Sequence, residues 1–249
     1  MTKIGFKESR ISDKYYFEWR KNRSSLAVDR VNQLMPLKDK TVLDIGCGYG
    51  ALSSLLLEKG AKVYGTETNA SKLKIALKFI KDKKFHFHIV SGETLPFKDN
   101  FFDAIFLFDV IEHVKNPHKI IKECERVLKP GGILYVEFTP YYSVTGHHLY
   151  DFAKWPIHIL PKEKIKQIVF SKKVESFLTA QYYWDQFESL NKLRIGTFQK
   201  MVEKNFKIEQ ERFIIKYPEI FEVNLFFLNY LGFFKDYLTM SYEGVFRKL

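Results

Sequence analysis

The residues of this chain whose types and spacing can do chemistry fall into two groups. The first is Asp44, then Gly46-Cys47-Gly48-Tyr49-Gly50, then Glu67 followed by Thr68. Glycines in a turn let the backbone approach a ligand closely and permit positive φ. The Gly-x-Gly-x-Gly spacing is one residue shorter to its last glycine than the dinucleotide fingerprint G-x-G-x-x-G. Asp44 lies two residues before the first glycine. A carboxylate there would repel a pyrophosphate and attract an ammonium or sulfonium group. Glu67 ends the next apolar run, where a carboxylate can accept hydrogen bonds from both ribose hydroxyls.

The second group is histidine-rich. His147, His148 and His158 are three of the chain's 7 histidines and fall close together, with Asp151 between them; His113 stands earlier by itself. Histidine titrates near neutrality, so His147 or His148 suits a general base for removing a hydroxyl proton. A metal site from His147, His148, His158 and Asp151 is a second reading, disfavoured because adjacent side chains diverge and no i, i+4 pair is present. A third is a pocket wall held by hydrogen bonds and stacking. His113 divides between the pocket and packing at a helix start. No metal is expected.

The elements that must position these groups alternate. Residues 13–35 have helical spacing and end at Pro36. Strands are expected at 41–45, 62–67, 85–90, 103–108 and 133–138, with helices ending before Gly60, over 70–81 and over 117–128. This β-α-β-α order predicts a parallel sheet with helices on both faces. The carboxyl ends of its strands line the ligand crevice. Residues 139–205 are too long for one crossover and carry the histidine cluster, then Lys-rich helical material. Residues 206–215 and 242–247 read as late strands. The Phe- and Leu-rich stretch 221–240 reads as a buried helix before the last strand, with a lipid or partner surface as the alternative.

Composition narrows the function classes. Net charge is +11, from 40 Lys+Arg against 29 Asp+Glu, and 46% of residues are hydrophobic. Only 8 of the 40 cations are Arg, the better residue for phosphate and base contacts. Nucleic acid is therefore possible but not favoured as a partner. Two cysteines, Cys47 and Cys124, argue against a disulfide framework. No signal-peptide core or long apolar span is visible, so a cytoplasmic protein with at most peripheral membrane contact is expected.

Residues 42–50 resemble motif I of the class I S-adenosylmethionine-dependent methyltransferases, and Gly65-Thr66-Glu67 resembles their second motif. Residues 93–97 and 102–105 are similar to the segment leading into strand four. Asp109-Val110-Ile111-Glu112-His113-Val114, followed by Val127-Leu128-Lys129-Pro130-Gly131-Gly132, is similar to the ubiquinone/menaquinone-biosynthesis type of small-molecule methyltransferase. The resemblance covers about residues 41–139. It implies a Rossmann-like α/β fold with a seven-stranded sheet, order 3-2-1-4-5-7-6, strand seven antiparallel. An N-terminal helical cap over 1–40 and a methyltransferase domain over 41–249, with 140–205 as a substrate-side lid, complete the expected organisation. Cofactor contacts carry over to Asp44, Gly46, Cys47, Gly48, Glu67, Thr68, Gly92, Glu93 and Asp109. Ser91 stands where related sequences often have the Asp that contacts adenine, so Glu93 is the alternative there. Tyr15, Tyr16, Trp19 and Arg20 are candidates to close the site or to pack the helix. The expected function is methyl transfer from S-adenosylmethionine to a small-molecule or lipid-like acceptor, with oxygen as the expected methylated atom. Alternatives are an RNA or protein methyltransferase using the Lys-rich surface, a non-catalytic S-adenosylmethionine-binding module, and a NAD-binding protein, which Asp44 and the glycine spacing disfavour.

Overall fold

The computed structural model describes residues 8–90, 93–173, 176–217 and 221–249. In chain order the elements are α1 (Asp13–Leu34), β1 (Thr41–Ile45), α2 (Ala51–Glu58), β2 (Lys62–Glu67), α3 (Ala70–Phe79), β3 (Phe85–Ile89), β4 (Phe102–Phe108), α4 (Pro117–Val127), β5 (Leu128–Phe138), α5 (Lys162–Ser171), α6 (Ala180–Glu188), α7 (Ile195–Val202), β6 (Phe206–Tyr217), β7 (Phe221–Asn224), α8 (Lys235–Leu238) and β8 (Ser241–Lys248). Helix starts follow side-chain caps: Ser12 accepts from the Tyr15 amide, Asn69 from Ser71, and Asn116 from Lys119 just before Pro117.

The sheet order is β3-β2-β1-β4-β5-β8-β6-β7. The first five strands are parallel, and β8 runs antiparallel between β5 and β6. That is the expected Rossmann-like α/β arrangement with one correction: the sheet has eight strands. The extra strand, β7, forms an antiparallel hairpin with β6. The apolar count of 221–240 hid it, because four residues are too few to show a period.

The central strands are apolar on both faces, as strands covered twice must be. On one face Leu43, Ile105, Leu107, Leu134 and Val136 meet α4 and α7 through Ile120, Ile121, Cys124, Ile195 and Phe198. On the other, Val42, Val63, Phe106 and Tyr135 meet α1 and α2 through Ala27, Val28, Val31, Leu52 and Leu56. Each fully buried Leu, Ile, Val or Phe contributes about 1.5–3 kcal/mol, so the two layers fix the strand ends on which the site is built. A third, smaller cluster lies within the segment after β5, where Leu149, Phe152, Ile157, Ile165, Val169, Tyr183 and Trp184 pack together.

Two further expectations need correction. β5 begins at Leu128, because Phe102 pairs with Leu128 before the register shifts at the Pro130-Gly131-Gly132 turn. Residues 226–234 are not a buried helix. They form short helical turns broken at Gly232 (φ +50°), with Phe226 71% and Tyr230 86% exposed. No described helix is long and apolar enough to cross a membrane.

Candidate active site

The glycine loop leaves the carboxyl end of β1 with three left-handed residues, Gly46 (φ +67°), Gly48 (φ +55°) and Gly50 (φ +81°). A Cβ at Gly46 would lie 2.6 Å from Val110 Cγ2, so the loop is packed from behind. A Cβ at Gly48 would have nothing nearer than 3.9 Å, so the backbone is open towards the cavity. The Cys47 amide donates to Thr66 O at 2.9 Å and fastens the loop to β2; the thiol itself is buried, and burial pushes its pKa well up.

Asp44 is buried beneath this loop and accepts from the Ser53 hydroxyl at 2.6 Å. Burial pushes its pKa up to about 7, against the pull of Ser53 and Arg20. A buried carboxylate in that state gains most from a cationic group placed beside it. Glu67 is buried at the end of β2. Its Oε1 accepts from the Thr68 amide, the Thr68 hydroxyl and the Asn69 amide, at 2.8, 3.2 and 3.1 Å. Its Oε2 accepts from the Gly48 amide at 3.1 Å, with Lys72 Nζ at 3.8 Å. Oε1 is saturated and Oε2 keeps room for another donor.

A cavity of about 310 Å³ opens in front of this loop, at the lower end of the range for ligand sites. Asp44, Gly46, Cys47, Gly48, Asp109, His113 and His148 all line it. Tyr16, Trp19 and Arg20 of α1 line it too, as do Tyr182, Tyr183 and Gln186 of α6. Glu67 and Thr68 are not among the lining residues, although Glu67 Oε2 accepts from the amide of Gly48, which is. Glu93 is turned away: its Oε1 accepts from the Lys115 and Asn116 amides at 2.9 and 3.2 Å, holding the start of α4. Ser91 and Gly92 lie outside the described residues.

Asp109 has a left-handed backbone (φ +55°), unusual for a non-glycine residue. Its carboxylate is engaged by two guanidinium groups of α1, Arg20 at 2.5 Å and Arg23 in a bidentate pair. Burial would raise its pKa, but Arg23 and Arg20 outweigh burial and hold it well below the usual carboxylate range. Arg23 also reaches Glu137 at 3.1 Å, and farther along α1 Arg30 pairs with buried Glu243 of β8. The N-terminal helix is thus latched to carboxylates at three places across the sheet.

The histidines separate. His148, with φ +55°, meets the His113 ring at 5.0 Å between centroids, and His113 Nδ1 lies 2.7 Å from the Ser189 hydroxyl. Burial lowers His148 to about 4 and His113 to about 3, so both rings are neutral at pH 7. Beneath them is Glu112, buried, with neither carboxyl oxygen in a good hydrogen bond and Oε1 3.9 Å from His148 Nε2. Burial, then the charge of Asp109, pushes Glu112 well above the usual carboxyl range. One donor atom each from Glu112, His113 and His148 lie within 4.8 Å of one another. His147 does not join them. It is fully buried, with Nδ1 accepting from the Leu149 amide at 3.0 Å and its ring facing His158 at 5.7 Å.

Sequence reasoning did not single out Arg23, Glu112 or the α6 tyrosines. A signal existed for the arginines: four of the eight, Arg10, Arg20, Arg23 and Arg30, fall in one short N-terminal stretch. Glu112 lay inside a recognised motif without a role.

Comparison with known proteins bears on the central segment and on the fold. The family described as "Methyltransferase domain" matches residues 43–136. The chain is 32% identical over 140 residues to the ubiquinone biosynthesis O-methyltransferase of Coxiella burnetii, covering 53% of this chain and 57% of that protein. It is also similar to the PH0226 protein of Pyrococcus horikoshii, at 22% identity and a TM-score of 0.63, covering 98% of this chain and 100% of that one. An S-adenosylmethionine-dependent methyltransferase from Methanosarcina mazei gives 21% identity and a TM-score of 0.54, covering 85% of this chain and 93% of that one. The two structural likenesses speak for the fold. The chain spans little more than half the length of the Coxiella relative. Residues 43–136 therefore resemble a methyltransferase domain, and the cofactor that this likeness implies is S-adenosylmethionine. The residues fit that group: an open backbone at Gly48, a buried carboxylate at Asp44 for a cation, and a carboxylate with spare capacity at Glu67.

Proposed function

We propose that the protein transfers a methyl group from S-adenosylmethionine to a hydroxyl of a small-molecule or lipid-like acceptor. When bound, the cofactor supplies an already activated methyl, so alignment and exclusion of water carry much of the acceleration. Asp44 and the Gly46–Gly48 backbone hold the cationic portion, and Glu67 Oε2 accepts from the ribose. Asp109, locked by Arg20 and Arg23, shapes the wall beside them. His148 takes the acceptor's proton: its ring is neutral at pH 7 and lines the same cavity as the glycine loop. That shared cavity is the observation that carries the reading. His113 supports the same wall, His147 holds the lid turn rather than the reacting atoms, and the described residues of the 140–205 segment cover the acceptor side. The Coxiella relative's name, an O-methyltransferase of ubiquinone biosynthesis, supports oxygen as the methylated atom and a lipid-like acceptor.

The donor set of Glu112, His113 and His148 favours a second reading of this wall, in which the three would hold a divalent cation that would supply Lewis-acid polarisation of the acceptor hydroxyl. Loss of turnover on chelation, restored by added Mg²⁺ or Zn²⁺, selects that reading over the unaided base.

Titration calorimetry with S-adenosylhomocysteine tests the cofactor assignment. Wild-type protein is expected to bind at micromolar affinity and Glu67→Ala to bind about tenfold more weakly, near 1.4 kcal/mol. A folded wild type that binds neither S-adenosylmethionine nor S-adenosylhomocysteine overturns it.

A further inference from the structure

The segment after β7 carries its side chains the wrong way round for a soluble surface. Its two charged residues, Lys235 and Asp236, are buried. Lys235 donates to Gln199 at 2.5 Å and to Asn229 at 3.2 Å, and Asp236 accepts from the Ile195 amide at 2.8 Å. Leu228 is fully inserted in the core. These contacts fasten the segment so that Phe226, Phe227, Tyr230 and Leu231 face solvent, at 71, 48, 86 and 40% exposure. A contiguous exposed apolar patch of this kind marks an interaction surface.

Charge indicates what covers it. Within 225–240 the one carboxylate, Asp236, is buried, while exposed Lys192 and Lys200 and half-buried Arg194 lie on the neighbouring stretch that leads into and forms α7. The whole chain carries +11. A second copy would set this basic rim against itself, which is repulsive. An anionic bilayer is complementary to both parts: rings and leucines enter the headgroup boundary, lysines meet the phosphates, and a tyrosine suits the interface. The patch also adjoins the lid, where Tyr237 meets the Tyr142 ring at 6.0 Å and Thr145 Oγ1 lies 3.5 Å from Met240 O.

We propose that residues 226–231 form a docking surface for the face of an anionic phospholipid membrane. The surface stands independently of the acceptor assignment, and it is measured without turnover. The full chain would be sedimented with vesicles of phosphatidylcholine alone and of phosphatidylcholine mixed with phosphatidylglycerol, beside the double variant Phe226→Ser/Tyr230→Ser. Wild type is expected to sediment with the anionic vesicles, and the variant to bind about tenfold less while keeping its unfolding temperature and S-adenosylhomocysteine affinity. Failure of wild type to bind either vesicle overturns the proposal. Equal binding by the variant also overturns it, since basic charge alone would then account for the association. A dimer in light scattering that the variant dissolves assigns the patch to a second copy instead.

Discussion

The glycine loop and the wall opposite it make one cavity by different means. The loop is local: Asp44, Gly46, Gly48 and Glu67 lie on two adjacent strand ends whose register, Asp44 opposite Gly65, is set by parallel pairing. The opposite wall is assembled from afar. Arg20 and Asp109 are 89 residues apart, Arg23 and Glu137 114 apart, and His113 and Ser189 76 apart. On the proposed assignment, cofactor binding rests on groups placed locally by two strand ends, and acceptor chemistry on long-range side-chain contacts that can be altered one at a time.

The largest expected effect separates the two. His148→Ala should lower kcat about 100- to 1000-fold, the scale of a lost general base, with the S-adenosylhomocysteine affinity changed less than about threefold. Equal losses in both quantities would mean the wall and the loop are not separable. Next is the latch. Arg23→Ala removes one guanidinium from Glu137 and one of the two from Asp109, and should destabilise the fold by about 3 kcal/mol in urea unfolding; Arg23→Lys should recover part of it. An unchanged midpoint would make α1 a cover rather than a structural member. The smallest effect concerns the loop. Asp44 is raised to about 7 by burial, so it binds a proton below that pH and must lose it to face a cation. Affinity for S-adenosylmethionine should fall as pH drops below 7, by up to about tenfold per unit, and level off above it. Asp44→Asn should be weak at every pH, and a flat wild-type profile would refute the linkage.

Most of the fold and the loop half of the site were legible in the sequence because short-range rules fix them. Residues 41–45 and 62–67 read as strands from their apolar runs, and the glycine spacing placed the turn. Glu93 shows where proximity in sequence misleads: it is beside the cofactor segment but spends its carboxylate on the amides of Lys115 and Asn116. The two adjacent histidines could not be assigned from spacing, since the left-handed φ of His148 sends neighbouring rings to opposite environments. The latch escaped because no period connects Arg23 with Glu137. Residues 226–234 escaped because apolar composition predicts burial, and here Lys235 and Asp236 took the inner places.

The position of β8 bears on how the protein is made. It lies between β5 and β6 and places Glu243 beside Arg30 and Arg212. A ribosome delivers residues 128–138 and 206–217 long before residues 241–248. Until those eight emerge from the exit tunnel, β5 has an open hydrogen-bonding edge and β6 lacks its inner neighbour. Such unpaired edges are templates for aggregation. The nascent chain therefore completes its sheet from the middle in a late step, and the vulnerable interval in its synthesis is the one just before that strand arrives.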